Sequence, residues 1–334
     1  MPGLRVVTTN PPNAGVELSS LTGSVSQAEI FERNNFPIPE SPPTSFTIRI
    51  AGADDRSVSL DDLRAFPQAT HRWMLECAGN ARTGMQPKPV GTPWPLAAMS
   101  PVNATGVRLR DVVGALAESV SELVFTGADR GRVPADGAIG YQFSLPRAEA
   151  MGDEPLLVTE LNGEPLSVRH GGPIRLMVPG GYGMKSVKWL EAIHSVEEPF
   201  EGHFVRKYRY RGDPRFADES PVDRMLVRAV ITSHVDDEAL VPGPNTITGA
   251  AWSGADVIAS VAISGDDGTA WVDADLTTDG DITWWEAEVG LVPGAVLVAR
   301  ATDASGATQP LEAPWNKGGY GNNAVHRVVL GATP

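Results

Sequence analysis

The chain carries a single thiol, Cys77, in Leu75-Glu-Cys-Ala-Gly-Asn-Ala-Arg82. Small, turn-forming residues after it would let a bulky ligand approach the backbone closely. A thiolate in such a loop suits a soft metal. Taken alone, a lone cysteine more often packs as a small hydrophobe, so its neighbours must decide. One cysteine excludes a disulfide within the chain and any multi-thiolate zinc or iron–sulfur site. No Cys-x-x-Cys-His haem attachment occurs either. Redox work here needs a cofactor that takes one protein sulfur or none.

The second chemical signal is cationic. Arg33, Arg82, Arg175, Lys185 and Lys188 stand near Gly, Asn or Pro positions that interrupt regular structure. In an acidic protein such placement points to anion sites made of guanidinium forks and loop amides, although any one of these residues singly could be a solvated surface charge. His170-Gly-Gly-Pro173 and the segment 179–189, Pro-Gly-Gly-Tyr-Gly-Met-Lys-Ser-Val-Lys-Trp, bracket one short apolar run, Ile174–Val178. Polar groups at its two ends can converge on a phosphate-bearing ligand. Neither segment has the glycine spacing of a Walker A loop or a dinucleotide fingerprint. His71, His194, His203, His234 and His326 lack metal-ligand spacing and read as structural.

The elements that must position these groups are mostly strands. With 334 residues the chain is long enough for about two domains, and its 42% hydrophobic and 20% charged residues fit globular packing. The 35 Gly and 28 Pro favour strands and loops over long helices. A net charge of −14 repels phosphate backbones and anionic lipid surfaces, so neither nucleic acid nor membrane is an expected partner. No apolar run is long enough to span a bilayer, and no leader pattern opens the chain. A cytoplasmic protein is expected, or a periplasmic one if a leader has been removed.

Residues 1–27 read as an N-terminal arm. Ser45–Ala51 alternates like a strand, Ser59-Leu-Asp-Asp62 is a capping-box start for a short helix, and Leu109, Val112, Val113 and Leu116 mark a second, amphipathic one. His71–Arg82 reads as a strand running into a turn. The charge-dense stretch 206–223 reads as a linker. Beyond it candidate strands recur about every ten residues, Val227–Thr232, Asn245–Ala251, Val257–Ser264, Trp271–Leu276, Ile282–Val289 and Ala295–Thr302, with Gly265-Asp-Asp-Gly268 as a hairpin turn. That spacing predicts a β-sandwich over 224–334.

Together these segments resemble the sulfite oxidase family of molybdopterin enzymes, from about residue 28 to the C-terminus. Leu75–Arg82 is similar to the family's cysteine loop, Phe31-Glu-Arg-Asn-Asn-Phe-Pro-Ile-Pro39 to its Arg-Asn-His arm, and Leu156–Leu166, His170–Arg175 and Lys185–Leu190 continue in the family order. Ala251-Trp-Ser-Gly254, Trp315-Asn316 and His326-Arg327-Val328 resemble its immunoglobulin-like dimerisation domain. The resemblance implies an α+β fold: a mixed molybdopterin-binding catalytic domain at 28–205, then an immunoglobulin-like sandwich. It implies molybdenum and molybdopterin as cofactors, with Cys77 as the metal ligand. Arg33, Arg82 and Thr159 take the substrate-facing, catalytic positions. Arg33, Asn34, Asn35, Asp129, Ser144, His170, Arg175, Lys185, Ser186 and Lys188 fall where the family binds pterin and phosphate.

The implied activity is oxygen-atom transfer, sulfite to sulfate, by a homodimer that passes electrons to an external acceptor, a cytochrome or oxygen. A related enzyme acting on another oxyanion, or reducing a nitrate- or sulfoxide-type substrate, and a cofactor-binding protein without turnover are the alternatives. Four positions depart from the family pattern. Thr159 replaces an active-site tyrosine, Asn35 an arm histidine, and Gly318 an arginine, with Lys317 one residue earlier. A tryptophan is missing near Ala104, while Trp94 is kept. At about 1.5–3 kcal/mol per lost hydrogen bond to a charged group, these changes predict weakened sulfite handling or a redirected specificity.

Overall fold

Frequent Gly and Pro cut the chain into short segments, and no α-helix among the described residues is longer than five residues. In the computed structural model residues 3–21, 23, 25–239 and 242–331 are described. The capping box at Ser59 forms as expected: its hydroxyl accepts the Asp62 amide (3.1 Å) and the helix Leu60–Arg64 follows. The second helix is shorter than its apolar spacing predicts. Leu109–Val113 ends at Gly114, whose φ of 79° turns the chain away before Leu116 can join. Leu116 instead packs as a half-buried residue against the same core.

The first core lies between two five-stranded sheets. One runs Glu164–Pro165, Leu156–Leu161, Met99–Arg108, Gln68–Glu76, with Arg175–Met177 also paired to Leu156–Leu161. The other runs Arg56–Ser59, Ser45–Arg49, Leu190–Val196, Glu122–Val133, Gly137–Pro146. It is mixed, since Leu190–Val196 pairs parallel with Ser45–Arg49 and antiparallel with Glu122–Val133. The N-terminal arm is a hairpin, Leu4–Thr9 with Pro12–Val16, laced onto this body. Val16 donates to the Ala97 carbonyl, Ala14 and Glu32 exchange both backbone hydrogen bonds, and the Phe31 amide donates to Ser100 Oγ. These contacts fix the backbone on either side of Arg33.

The second core is a sandwich of two antiparallel four-stranded sheets. Arg228–Ile231, Gly243–Trp252, Ile282–Leu291 and Asp275–Asp279 form one; Val272–Asp273, Ile258–Ser264, Val296–Asp303 and His326–Val329 form the other. Burial alternates along Ile282–Leu291, the period-two signature of a half-buried strand. The strand expected over Trp271–Leu276 is split, its first part in one sheet and its second in the other. Residues 206–223 pack against the first core rather than hanging between domains: Tyr208, Tyr210 and Val222 are buried in it.

The two cores meet beside the cysteine loop. Glu76, the last strand residue before Cys77, is buried and pairs with buried Arg228 (Nε to Oε1, 2.9 Å). Its other oxygen accepts Trp252 Nε1 (2.9 Å). His71 and Arg72, earlier on the same strand, reach Asp281 (2.7 Å) and Asp279 (2.6 Å).

Candidate active site

Cys77 leaves the end of the strand Gln68–Glu76 and is the first residue of a turn. Its amide donates to the Ala98 carbonyl and its carbonyl accepts the Asn80 amide, both at 2.9 Å. Asn80 locks the turn from inside. Its Oδ1 accepts Ala97 and Ala98 amides (3.1 and 2.9 Å) and its Nδ2 donates to Glu76 Oε1 (3.0 Å). A Cβ at Gly79 would run into the Arg82 guanidinium, so any larger residue there would have to displace that arginine. The small residues after Cys77 thus hold one thiol at a fixed place.

That place is the wall of a cavity of about 690 Å³, mouth included. Of the residues singled out by sequence, Arg33, Asn34, Asn35, Cys77, Asp129, His170, Arg175, Ser186 and Lys188 line it. Four do not. Arg82 is buried and donates Nε to the Gly318 carbonyl (2.9 Å) and Nη1 to that of Thr92 (2.6 Å). Lys185 is buried with its ammonium on Glu149 (2.5 Å) and Asp223, so two carboxylates already neutralise it. Ser144 is buried within the strand Gly137–Pro146. Thr159 sits on Leu156–Leu161, which Met99–Arg108 separates from the cysteine strand in the sheet, and this order leaves its side chain outside the lining. Phe31, Tyr141, Met184, Trp189 and Tyr208 line the cavity without having been singled out by sequence. Tyr141 carried an alternating strand signal and nothing more, and Tyr208 lay in the stretch read as a linker.

The lining holds its cations in place. Arg33 donates Nη2 to Asn35 Oδ1 (2.8 Å) and Nη1 to Asn13 Oδ1 (3.3 Å), so Asn35 orients the arginine. Lys188 donates to Asn34 Oδ1 (2.7 Å) and the Arg169 carbonyl (2.9 Å). Arg175 gives Nη1 to the His170 carbonyl (2.6 Å) and Nη2 to that of Ser186 (3.0 Å), while its buried Nε has no partner among the described residues. His170 Nε2 lies 2.8 Å from the Gln27 carbonyl. A carbonyl only accepts, so Nε2 carries the proton. Burial pushes His170 down to about 3, and it is neutral at pH 7.

Burial also lowers Lys188 to about 7, with Arg175 adding repulsion, and Arg175 to about 10. It raises Asp129 to about 6, against the pull of Lys188. Crowded, partly desolvated cations facing one weakened carboxylate are the electrostatics of a site that awaits an anion.

A pH test follows. Between about pH 7 and 10.5 the unfolded chain keeps Lys188 protonated while the cofactor-free fold does not, so this group makes stability rise with pH across that window. The thermal midpoint of cofactor-free protein should therefore gain between pH 7 and 9.5 relative to Lys188→Met. Part of the Lys188 surface opens to the cavity, which discounts the effect to on the order of 1–2 kcal/mol. Parallel profiles for the two proteins would show that the lysine is not desolvated.

Comparison with known proteins decides the family. Residues 35–204 match the oxidoreductase molybdopterin binding domain and residues 219–332 the Mo-co oxidoreductase dimerisation domain. The chain belongs to the sulfite oxidase family. It is 34% identical over 367 residues to human mitochondrial sulfite oxidase, covering 100% of this chain and 66% of that protein. With Arabidopsis thaliana sulfite oxidase it shares 30% over 369 residues, covering 98% of this chain and 94% of that one. In fold it is similar to the sulfane dehydrogenase SoxCD of Paracoccus pantotrophus, with a TM-score of 0.83, 24% identity, and coverage of 98% of this chain and 88% of that chain.

This sulfite oxidase family member accordingly carries an oxidoreductase molybdopterin-binding domain, and its cavity suits that cofactor. A single fixed thiol offers one soft donor. The cation surplus and the orphaned Arg175 Nε match a ligand that brings anionic oxygens of its own.

Proposed function

We propose that the protein oxidises sulfite to sulfate, with Cys77 as the protein ligand of molybdenum. The observation that carries this reading is the placement of the lone thiol on one wall of a cavity that Arg33, Lys188 and Arg175 also line. The metal centre, when bound, would supply oxygen-atom transfer: sulfite and water give sulfate, two protons and two electrons, the electrons leaving to an external acceptor, a cytochrome or oxygen.

The chain's own residues do the rest. Arg175, Lys188, Ser186, His170 and Asn34 would hold the pterin and its phosphate; of these, Arg175 and Lys188 would provide charge while His170 stays neutral. Arg33, braced by Asn35, draws the anionic substrate toward the thiol side, in a pocket where partial exclusion of water strengthens each charge. Asp129, raised to about 6, is placed to exchange a proton near neutral pH. The matched dimerisation domain supports a homodimer.

Rapid mixing of the molybdenum-loaded protein with sulfite tests the reading. The thiolate-to-molybdenum absorption should bleach within the turnover time, and other oxyanions mixed in parallel should react more slowly. A centre that sulfite leaves oxidised contradicts the assigned substrate.

A further inference from the structure

Glu32 is 1% exposed and places an acid directly beside a site that gathers cations for an anionic ligand. The backbone fixes it there: its amide donates to the Ala14 carbonyl (2.8 Å) and its carbonyl accepts the Ala14 amide (3.0 Å). The next two residues, Arg33 and Asn34, line the cavity, and Glu32 itself does not. A buried carboxylate needs partners to hold it.

Those partners lead back to the cavity. One oxygen, Oε1, accepts Nδ2 of Asn34 (2.9 Å), which also donates to the Pro12 carbonyl (2.8 Å). The other, Oε2, pairs with Nη1 of Arg169 (2.8 Å). Lys188 ties the two partners together. Its ammonium donates to Asn34 Oδ1 (2.7 Å) and to the Arg169 carbonyl (2.9 Å), with Nζ 4.9 Å from the centre of the Trp189 ring. The Asn34 amide can face only one way: turned over, its NH2 would meet the ammonium and its oxygen the carboxylate. Glu32 therefore fixes a carbonyl oxygen against Lys188, and a carboxylate at one end of an amide strengthens the acceptor at the other.

We infer that Glu32 is a positioning residue for the cofactor site, whose carboxylate orients Asn34 and Arg169 so that they hold the Lys188 ammonium at the cavity wall. The inference rests on the reading that Lys188 and Asn34 hold the cofactor's anionic end, not on the choice of sulfite as substrate. The charges that face Lys188 are Arg175 and Arg33, which oppose its proton, and Glu32 and Asp129, which favour it. His170 beside them is neutral, and the Arg169 guanidinium is matched by Glu32 itself. Removing the Glu32 charge should thus lower the pH at which Lys188 gives up its proton.

Glu32→Gln keeps the shape and removes the charge. In full-length, cofactor-loaded protein it should speed the loss of pterin, followed by fluorescence of the released ring, about tenfold. Lys188→Met should speed it as well. Adding Glu32→Gln to Lys188→Met should then change the rate by less than about twofold, because Glu32 acts through the lysine. The thermal midpoint should stay near that of the wild type, since the half-exposed Arg169 side chain can turn to water. An unchanged rate in Glu32→Gln overturns the inference, and so does a further tenfold in the double variant.

A second readout follows Lys188 directly. The chain has five lysines, so isotope-labelled lysine resolves each ε-carbon by NMR in the cofactor-free full chain, and the signal lost in Lys188→Met identifies its source. The Lys188 midpoint, about 7 in the wild type, should fall by about one pH unit in Glu32→Gln; an unmoved midpoint overturns the inference. If Glu32→Gln does not fold, Glu32→Gln with Arg169→Gln, a neutral pair in place of the charged one, is compared with Arg169→Gln alone by the same two readouts. If Lys188→Met keeps its pterin as long as the wild type does, the cofactor-site reading fails separately, and the Lys188 titration still decides Glu32.

Discussion

Cys77→Ser is expected to leave the fold intact and abolish molybdenum-dependent turnover. The loop is held by backbone hydrogen bonds to Ala98 and Asn80 and by the Asn80 side chain, none of which needs the sulfur. A serine oxygen is a harder, more basic donor that does not replace a soft thiolate. Changing a neighbour of a metal ligand commonly costs about 10–100-fold, so loss of the ligand itself should exceed ~100-fold in turnover. Circular dichroism and thermal midpoint should match the wild type. Retained turnover at near wild-type rate would show that the thiol is a packed bystander.

The second large effect is expected one residue earlier. Glu76 and Arg228 are 1% and 2% exposed, and they join the strand that ends at Glu76, just before Cys77, to the first strand of the sandwich. Glu76 also anchors Asn80 and Trp252. Glu76→Gln keeps the shape but strands the guanidinium in the core. Breaking a buried pair in this way costs about 3–5 kcal/mol, a fall on the order of 10 °C in thermal midpoint. Adding Arg228→Met should recover more than half of the loss, because an apolar replacement of both partners removes the uncompensated charge. An unchanged midpoint in the single variant would mean that water reaches the pair and that the cores are not coupled through it.

The same two residues show what sequence can and cannot display. Cys77, Arg33 and the His170–Trp189 segments were legible because rare residue types and Gly-rich spacing stand out locally, and the sandwich was legible from strand spacing. Glu76–Arg228 was not, since nothing in the spacing of positions 76 and 228 says that two separate cores bring them together. Arg82 and Lys185 misled for a related reason. Their position near flexible residues suggested anion sites, whereas the fold supplies carbonyls to one and two carboxylates to the other. Tyr208 was hidden by composition: the charges around it read as a solvated linker, but its ring and that of Tyr210 are buried in the first core. The shortened helix at Leu109–Val113 shows local chemistry overriding periodicity, with Gly114 ending what the apolar spacing would continue.

X-ray absorption at the molybdenum edge puts the central claim to its most direct test. Loaded wild-type protein should show one sulfur scatterer more than Cys77→Ser loaded in the same way, with the remaining shell unchanged. Identical sulfur shells in the two proteins would contradict the account, because the metal would then be held without the only thiol this chain possesses.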